Sequence, residues 1–280
     1  MKKVLVIGAG TMGCGIAHCL AEHQVNVFLM DLSVEISRKA LLKINERLHR
    51  SVDSGEITVQ DKQKILEKIV IVEDIEKAAD ADFVIETIVE DIETKKDLFK
   101  SLDRAFSKDV VLASNTSSLS ISKIAESTNH PERVAGMHFF NPAHKMKLVE
   151  IIRGEKTSDQ TIIKIERFAQ FIGKIPVEVK DSPGFIVNRV LIPMINEAAQ
   201  LLEENIANKE SIDTAMKLGA GHPIGPLALA DLIGIDVCVN ILENLEKNLG
   251  DTKYKPCNLL KLMAKENKLG RKTGHGFYDY

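Results

Sequence analysis

The sequence predicts a Rossmann-type α/β domain, a doubly wound and mostly parallel sheet, followed by an all-α C-terminal domain. Three observations lead there. A short apolar run over residues 3–7 leads directly into Gly8-Ala-Gly10-Thr-Met-Gly13. Apolar, strand-like runs then alternate with amphipathic helical stretches as far as residue 180, the pattern of βαβ units. Beyond the turn Asp181-Ser-Pro183-Gly184 nearly every segment has helical periodicity. The boundary is therefore set at residue 183, with a nucleotide-binding domain over 1–183 and a helical domain over 184–280.

The first strand, residues 3–7, is apolar at every inner position, as a parallel strand covered on both faces requires. A helix over 12–23 and a second strand over 26–30 follow, and Asp31 stands at the end of that strand. About forty residues separate the second strand from the third. This insertion predicts a helical pair within 33–68, one helix over 33–51 and one over 59–68, broken at Ser54-Gly55. Further strands are expected at 70–72, 83–86, 110–113 and 134–138, with helices such as 92–106 between them. In the second domain, helices are expected over 185–204, 209–218, 226–231, 236–249 and 258–265. The tail Gly274-His-Gly276-Phe-Tyr278 reads as a turn and a short extended piece.

Composition narrows the function. With 40 acidic and 37 basic residues the net charge is −3, so no global positive field recruits nucleic acid or an anionic membrane. Cys14, Cys19, Cys238 and Cys257 form no CxxC pair and no zinc spacing, which points to no metal and to reduced thiols in a cytoplasmic protein. Met1-Lys-Lys followed by apolar residues imitates a secretory signal, but Gly8, Gly10, Gly13 and Gly15 interrupt the run. No apolar stretch approaches the ~18 residues of a membrane span.

The glycine-rich turn has the context a dinucleotide site needs: a strand before it, a helix after it, and an acidic residue ending the next strand. Gly8 permits the tight turn, Gly10 admits the pyrophosphate, and Gly13 lets helix and strand approach. Thr11 and Met12 open the helix whose N-terminus would face the phosphates. Asp31 is placed to bind the adenosine ribose hydroxyls. Its charge opposes a 2′-phosphate and no arginine follows before Arg38, so NAD is expected rather than NADP.

Two further stretches carry chemistry. Arg133-Val-Ala-Gly-Met-His138-Phe-Phe-Asn141-Pro142 reads as a buried strand ending on a histidine, and Leu148-Val-Glu150-Ile-Ile as a second apolar strand containing one carboxylate. A carboxylate among Val149 and Ile151 needs a partner to offset its desolvation. Histidine is the natural partner, and an imidazole held by a carboxylate is a general base. Ser114-Asn115-Thr-Ser117-Ser118-Leu119-Ser120 follows an apolar strand, where ligands bind in open α/β sheets. Asn115 and Ser117 are thereby placed toward the nicotinamide end of a cofactor, although such residues also serve simply as turn formers and helix caps.

Together, Gly8–Gly13, Asn115-Thr-Ser117-Ser-Leu-Ser120, His138-Phe-Phe-Asn141-Pro142, Leu148-Val-Glu150, Pro183-Gly184-Phe-Ile-Val-Asn188-Arg189 and His222-Pro-Ile-Gly225-Pro226 resemble the 3-hydroxyacyl-CoA dehydrogenases, and among these the small bacterial 3-hydroxybutyryl-CoA dehydrogenases. The resemblance implies reversible oxidation of an (S)-3-hydroxyacyl-CoA with reduction of NAD. By that pattern His138 is the general base, Glu150 orients it, and Ser117 and Asn188 bind the reacting oxygen or the thioester region. Asn188 belongs to the first helix of the second domain, so substrate is expected in the cleft between domains. The same pattern puts Glu90 and Lys95 at the border of the cofactor, Asn141 near the nicotinamide, and Lys272 reaching back from the tail.

Coenzyme A requires cations. On the inserted helix Lys39, Lys43, Arg47 and Arg50 share a stripe, while Ile36, Ala40, Ile44 and Leu48 are expected on the packed face. Such a stripe is by default a solvated face; the resemblance makes it also a surface for the phosphates of CoA. The sequence departs from the family pattern at Thr87-Ile88 and at His144-Lys145, and His144 is assigned to the surface. Apolar surface in residues 184–280 suggests a homodimer, which the family leads one to expect. Two alternatives share much of this pattern: a 3-hydroxyacid dehydrogenase acting on a free acid such as a sugar acid, and a non-catalytic NAD-binding relative.

Overall fold

The computed structural model describes residues 3–280; Met1 and Lys2, where the signal-like start was considered, lie outside them. The chain divides into two compact units, Met1–Ser182 and Pro183–Tyr280. The first is built as β1 (Lys3–Ile7), α1 (Thr11–Glu22), β2 (Asn26–Met30), α2 (Val34–Asp53), α3 (Val59–Leu66), β3 (Ile69–Ile71), β4 (Phe83–Glu86), α4 (Ile92–Ala105), β5 (Val111–Ser114), α5 (Ile121–Ala125), β6 (Val134–Phe139), β7 (Leu148–Arg153), α6 (Asp159–Phe171) and β8 (Ile175–Lys180). The strands form one eight-stranded sheet in the order β3-β2-β1-β4-β5-β6-β7-β8. All neighbours are parallel except β6 and β7. The order reverses between β1 and β4, and in such sheets a ligand crevice lies beyond the strand C-termini at that point. The expected Rossmann-type fold is the one observed.

The sheet is apolar because its central strands are covered on both faces: Val4, Leu5, Val6, Val84, Ile85, Leu112 and Ala113 are all buried. Helix starts carry their own caps. Thr58 and Asp61 form a reciprocal capping box on α3, Asp91 accepts from Thr94 N at α4, and Ser158 accepts from Thr161 N at α6. In the inserted pair α2 buries Ser37, Ala40, Ile44 and Leu48. The expectation for Ile36 is corrected: it is 39% exposed. A row spaced strictly by four drifts off the helix face, because 3.6 residues make a turn, so Ser37 takes the inner position.

The second unit comprises α7 (Val187–Glu203), α8 (Lys209–Gly219), α9 (Pro226–Ile233), α10 (Ile235–Leu249) and α11 (Asn258–Lys265). Its core includes Ile192, Ile195, Leu227, Cys238, Leu242 and Leu260. Helix α7 starts two residues later than the periodicity suggests, because Gly184 and Phe185 hold positive φ (73° and 50°) and cannot belong to it. Buried Asp213 caps α9 by accepting from Leu227 N and Ala228 N at 2.8 and 3.0 Å. Buried Asp231 accepts from Phe277 N and Tyr278 N, both at 2.8 Å, and so fastens the tail. Among the described residues no helix is long and apolar enough to cross a membrane.

Candidate active site

The turn between β1 and α1 is closed by backbone. Gly8 has φ +96°, and its N–H donates to Met30 O at 2.8 Å. A Cβ on Gly13 would lie 1.8 Å from the Gly8 carbonyl oxygen, so only glycine allows α1 to approach so closely. Gly10 differs, since a Cβ there would meet nothing within 4 Å. That open space lies at the N-terminus of α1, where a pyrophosphate needs it. Asp31 is held in place by Ala9 N, which donates to Oδ2 at 2.6 Å, and by Leu32 N, which donates to Oδ1 at 2.7 Å. Each carboxylate oxygen keeps a lone pair for a ribose hydroxyl. The residues present therefore fit a dinucleotide. Thr11 is exposed and Met12 half-buried beside the open turn.

A chain of charges underlies the loop after β5. Glu86, the last residue of β4, is fully buried and accepts from Lys95 Nζ at 2.5 Å, Ser114 Oγ at 2.6 Å and Ile88 N at 2.6 Å. Desolvation pushes its carboxyl above the usual range, against the opposing pull of Lys95. Lys95, 1% exposed, also lies 3.4 Å from Glu90 Oε2. Glu90 Oε1 in turn accepts from Thr116 Oγ1 at 2.6 Å, Ser117 N at 2.9 Å, Ser118 Oγ at 3.0 Å and Ser118 N at 3.1 Å. Ser117 Oγ stands 3.4 Å from the same oxygen. Burial alone would raise the Glu90 pKa, but Thr116, Lys95 and the two serines outweigh it and hold the carboxyl below its ordinary value.

His138 and Glu150 occupy directly opposed positions on the antiparallel pair β6–β7. Both are buried, and His138 Nδ1 lies 2.8 Å from Glu150 Oε2. Side chains paired across an antiparallel ladder share one face, which is what turns a twelve-residue separation into contact. Asn115 joins this pair to the preceding loop: its Oδ1 accepts from Phe139 N at 2.9 Å, and its own N–H donates to Glu86 O at 2.8 Å. The Phe140 ring lies 4.5 Å from that of His138. Asn141 is exposed in the loop that follows. That loop is fastened from below by buried Lys174, whose Nζ donates to Ala143 O at 2.6 Å and Met146 O at 2.8 Å.

In the second unit Asn188 is half-buried in the first turn of α7. Lys272 is paired with Asp236, with its Nζ 2.5 and 2.6 Å from the two carboxylate oxygens. On α2, Lys39, Lys43 and Arg50 are exposed. Arg47 turns partly inward, with a guanidinium nitrogen 3.8 Å from Cys14 Sγ on α1.

Comparison with known proteins gives one answer along the whole chain. Residues 3–182 match the family model described as 3-hydroxyacyl-CoA dehydrogenase, NAD binding domain, and residues 184–280 match the C-terminal domain of the same family. The chain belongs to the 3-hydroxyacyl-CoA dehydrogenase family. It is 48% identical over 280 residues to a probable 3-hydroxybutyryl-CoA dehydrogenase of Bacillus subtilis, covering 100% of this chain and 98% of that one. It is likewise 48% identical to 3-hydroxybutyryl-CoA dehydrogenase of Clostridioides difficile, covering 99% of each. Among solved structures, (S)-3-hydroxybutyryl-CoA dehydrogenase from Ralstonia eutropha superposes with a TM-score of 0.96 at 44% identity, covering 100% of this chain and 99% of that one.

Within this family the first unit is the NAD-binding domain, and both departures from the family pattern acquire a structural account. Thr87 closes over the glycine turn, its Oγ1 lying 2.9 Å from Gly8 O and 3.1 Å from Ile7 O, within donating reach of both. The surface assignment of His144 is corrected. It is half-buried, 4.8 Å from the ring of His18, and its Nδ1 is buried without a hydrogen-bond partner. Burial is the main cause that lowers its pKa to about 4, followed by the repulsion of His18, Arg47 and Lys145, with Glu22 opposing. Two contributors, Glu86 and Lys174, were not singled out from sequence. A carboxylate closing the apolar run 83–86 is the same signal that marked Glu150. Lys174 offers no comparable signal, because its partners are main-chain carbonyls.

Proposed function

We propose that this chain is an NAD-dependent dehydrogenase interconverting (S)-3-hydroxyacyl-CoA and 3-oxoacyl-CoA, with the four-carbon pair 3-hydroxybutyryl-CoA and acetoacetyl-CoA as substrates. The observation that carries the reading is the buried His138–Glu150 pair at 2.8 Å, on the strand beside the Ser114–Ser118 loop. The names of the relatives support the acyl group.

In this reading His138 Nδ1–H donates to Glu150 Oε2, which leaves the lone pair of the ring on Nε2. That nitrogen takes the proton of the 3-hydroxyl, and Glu150 stabilises the imidazolium that forms. Bound NAD supplies the hydride acceptor. Ser117 and Asn188 are neutral donors that steady the changing charge on oxygen without competing for its proton. Gly8, Gly10, Thr11, Met12, Gly13 and Asp31 hold the adenosine diphosphate half of the cofactor, with Asp31 favouring NAD over NADP. Glu90, Asn115, Ser117 and Asn141 border the nicotinamide half. Lys95 acts there through Glu90, and Lys272 contributes from the tail. Lys43, Arg47 and Arg50, with Lys39 beside them, receive the phosphates of CoA.

Residues 1–183 would thus bind cofactor, while residues 184–280 would complete the substrate site and form a homodimer of a cytoplasmic enzyme. Val190, Leu218, Leu232 and Leu262, 69%, 83%, 52% and 52% exposed, support a partner subunit there; light scattering at the mass of two chains is the expected result. The deciding experiment compares acetoacetyl-CoA with free acetoacetate, each with NADH. Turnover confined to the thioester supports the reading, and equal turnover moves it to a free-acid dehydrogenase. Binding of NADH without turnover of either moves it to a non-catalytic relative.

A further inference from the structure

The buried carboxylate of Glu86 has no part in the chemistry just described, yet it is the most enclosed acid of the sheet crevice. It is fully buried, whereas the Glu90 side chain is 37% exposed. Three donors converge on it: the Lys95 ammonium, the Ser114 hydroxyl and the Ile88 amide, at 2.5, 2.6 and 2.6 Å. A carboxylate without exposure is costly unless paired, and an ammonium 1% exposed is equally so. The two stabilise each other, and that pairing fixes where the Lys95 Nζ stands. From there Nζ reaches Glu90 Oε2 at 3.4 Å, which leaves Oε1 to collect the donors of Thr116, Ser117 and Ser118.

We propose that Glu86 is a positioning residue that sets the direction of the Ser117 hydroxyl through Lys95 and Glu90. The alternative, a carboxylate that merely fills the end of β4, predicts a different geometry. A filler would need only Ser114 and the Ile88 amide, and nothing would then hold Lys95 between two acids. Here one buried ammonium bridges Glu86 to the single oxygen pair that carries the Thr116–Ser118 turn. The relay runs acid, base, acid, hydroxyl. Its last member is the residue that meets substrate in the proposed function, so the inference rests on that reading.

Glu86→Gln tests it. Glutamine keeps the length and an acceptor for Ser114 but removes the charge that fixes Lys95. In the otherwise native enzyme kcat/KM for acetoacetyl-CoA should fall about tenfold, an interaction of the size measured between residues of one network. The distinguishing measurement is the same substitution in a Ser117→Ala background. A relay ending at Ser117 has nothing left to act on there, so the second loss should stay within about twofold. An undiminished tenfold loss in that background, or no loss in the native one, overturns the inference. If Glu86→Gln does not fold, Ser114→Ala removes only one bond to the same carboxylate and should show the same non-additivity with a smaller loss. An additive loss, or none, overturns the inference by this route too. Wild type is assayed alongside: failure of wild type to reduce acetoacetyl-CoA removes the proposed function, whereas additive losses in an active enzyme remove only the relay.

Discussion

His138 on β6 and Glu150 on β7 face each other across an antiparallel ladder, with Nδ1 and Oε2 2.8 Å apart and both side chains buried. In the proposed function this contact gives His138 a defined tautomer for its role as base, because the carboxylate accepts from one ring nitrogen and leaves the lone pair on the other. His138→Gln should lower kcat by about 10²–10⁴-fold, the usual contribution of a positioned general base. Affinity for NADH should be unchanged, because Gln keeps the volume and the glycine turn is untouched. Stopped-flow reduction of acetoacetyl-CoA and fluorescence titration of NADH check the two halves. Activity within a few-fold of wild type would remove His138 from the proposed role.

Gly10 separates ligand binding from folding. Its Cβ position is empty to 4 Å, so Gly10→Ala should leave the melting temperature of the ligand-free protein within about 2 °C of wild type, a change of no more than about 1 kcal/mol. The added methyl occupies the approach expected for the pyrophosphate, and the dissociation constant of NADH should rise by about tenfold or more. Calorimetry with and without NADH measures both. An unaltered affinity would move the cofactor away from this turn.

His144 predicts a pH dependence. Its folded pKa is lowered to about 4, against 6.5 for a free histidine. Above pH 6.5 both states carry it neutral and it contributes nothing. As pH falls from 6.5 toward 4 the unfolded chain takes up a proton that the folded chain refuses, so stability is lost through that window. Partial exposure reduces the effect to about 1–2 kcal/mol. Glu22, whose pKa is held low by His18 and the neighbouring histidines against the opposing effect of burial, loses its contribution only below its ordinary 4.5. Urea unfolding between pH 7 and 5 should therefore show a smaller loss for His144→Gln than for wild type, and equal slopes would exclude the assignment.

Much of this protein was legible along the chain. The glycine turn, the β1–α1 unit and the acid at the end of β2 are properties of consecutive residues, since a positive φ, an apolar strand and a helix start are each decided within a few positions. The family motifs are local for the same reason. The helices of the second unit were readable from their periodicity, apart from the first turn of α7, where Phe185 departs into positive φ.

Tertiary structure decided which charged side chains are enclosed and by whom. Glu86 and Lys95 stand nine residues apart, yet Ser114 and the Thr116–Ser118 turn that complete their network arrive on another strand. His144 follows a loop and looks exposed in sequence, but α1 brings His18 against it. Lys174 meets carbonyls that no side-chain pattern marks. The residues in chain order were enough to mark most strands of the sheet, the nucleotide turn, and His138 and Glu150 as the pair that the proposed function uses. Their pairing depended on the reversal of β7 against β6, because only the register of that ladder brings Glu150 opposite His138. The cost of an enclosed charge depends on neighbours contributed by distant strands, and that information exists only once the sheet has formed.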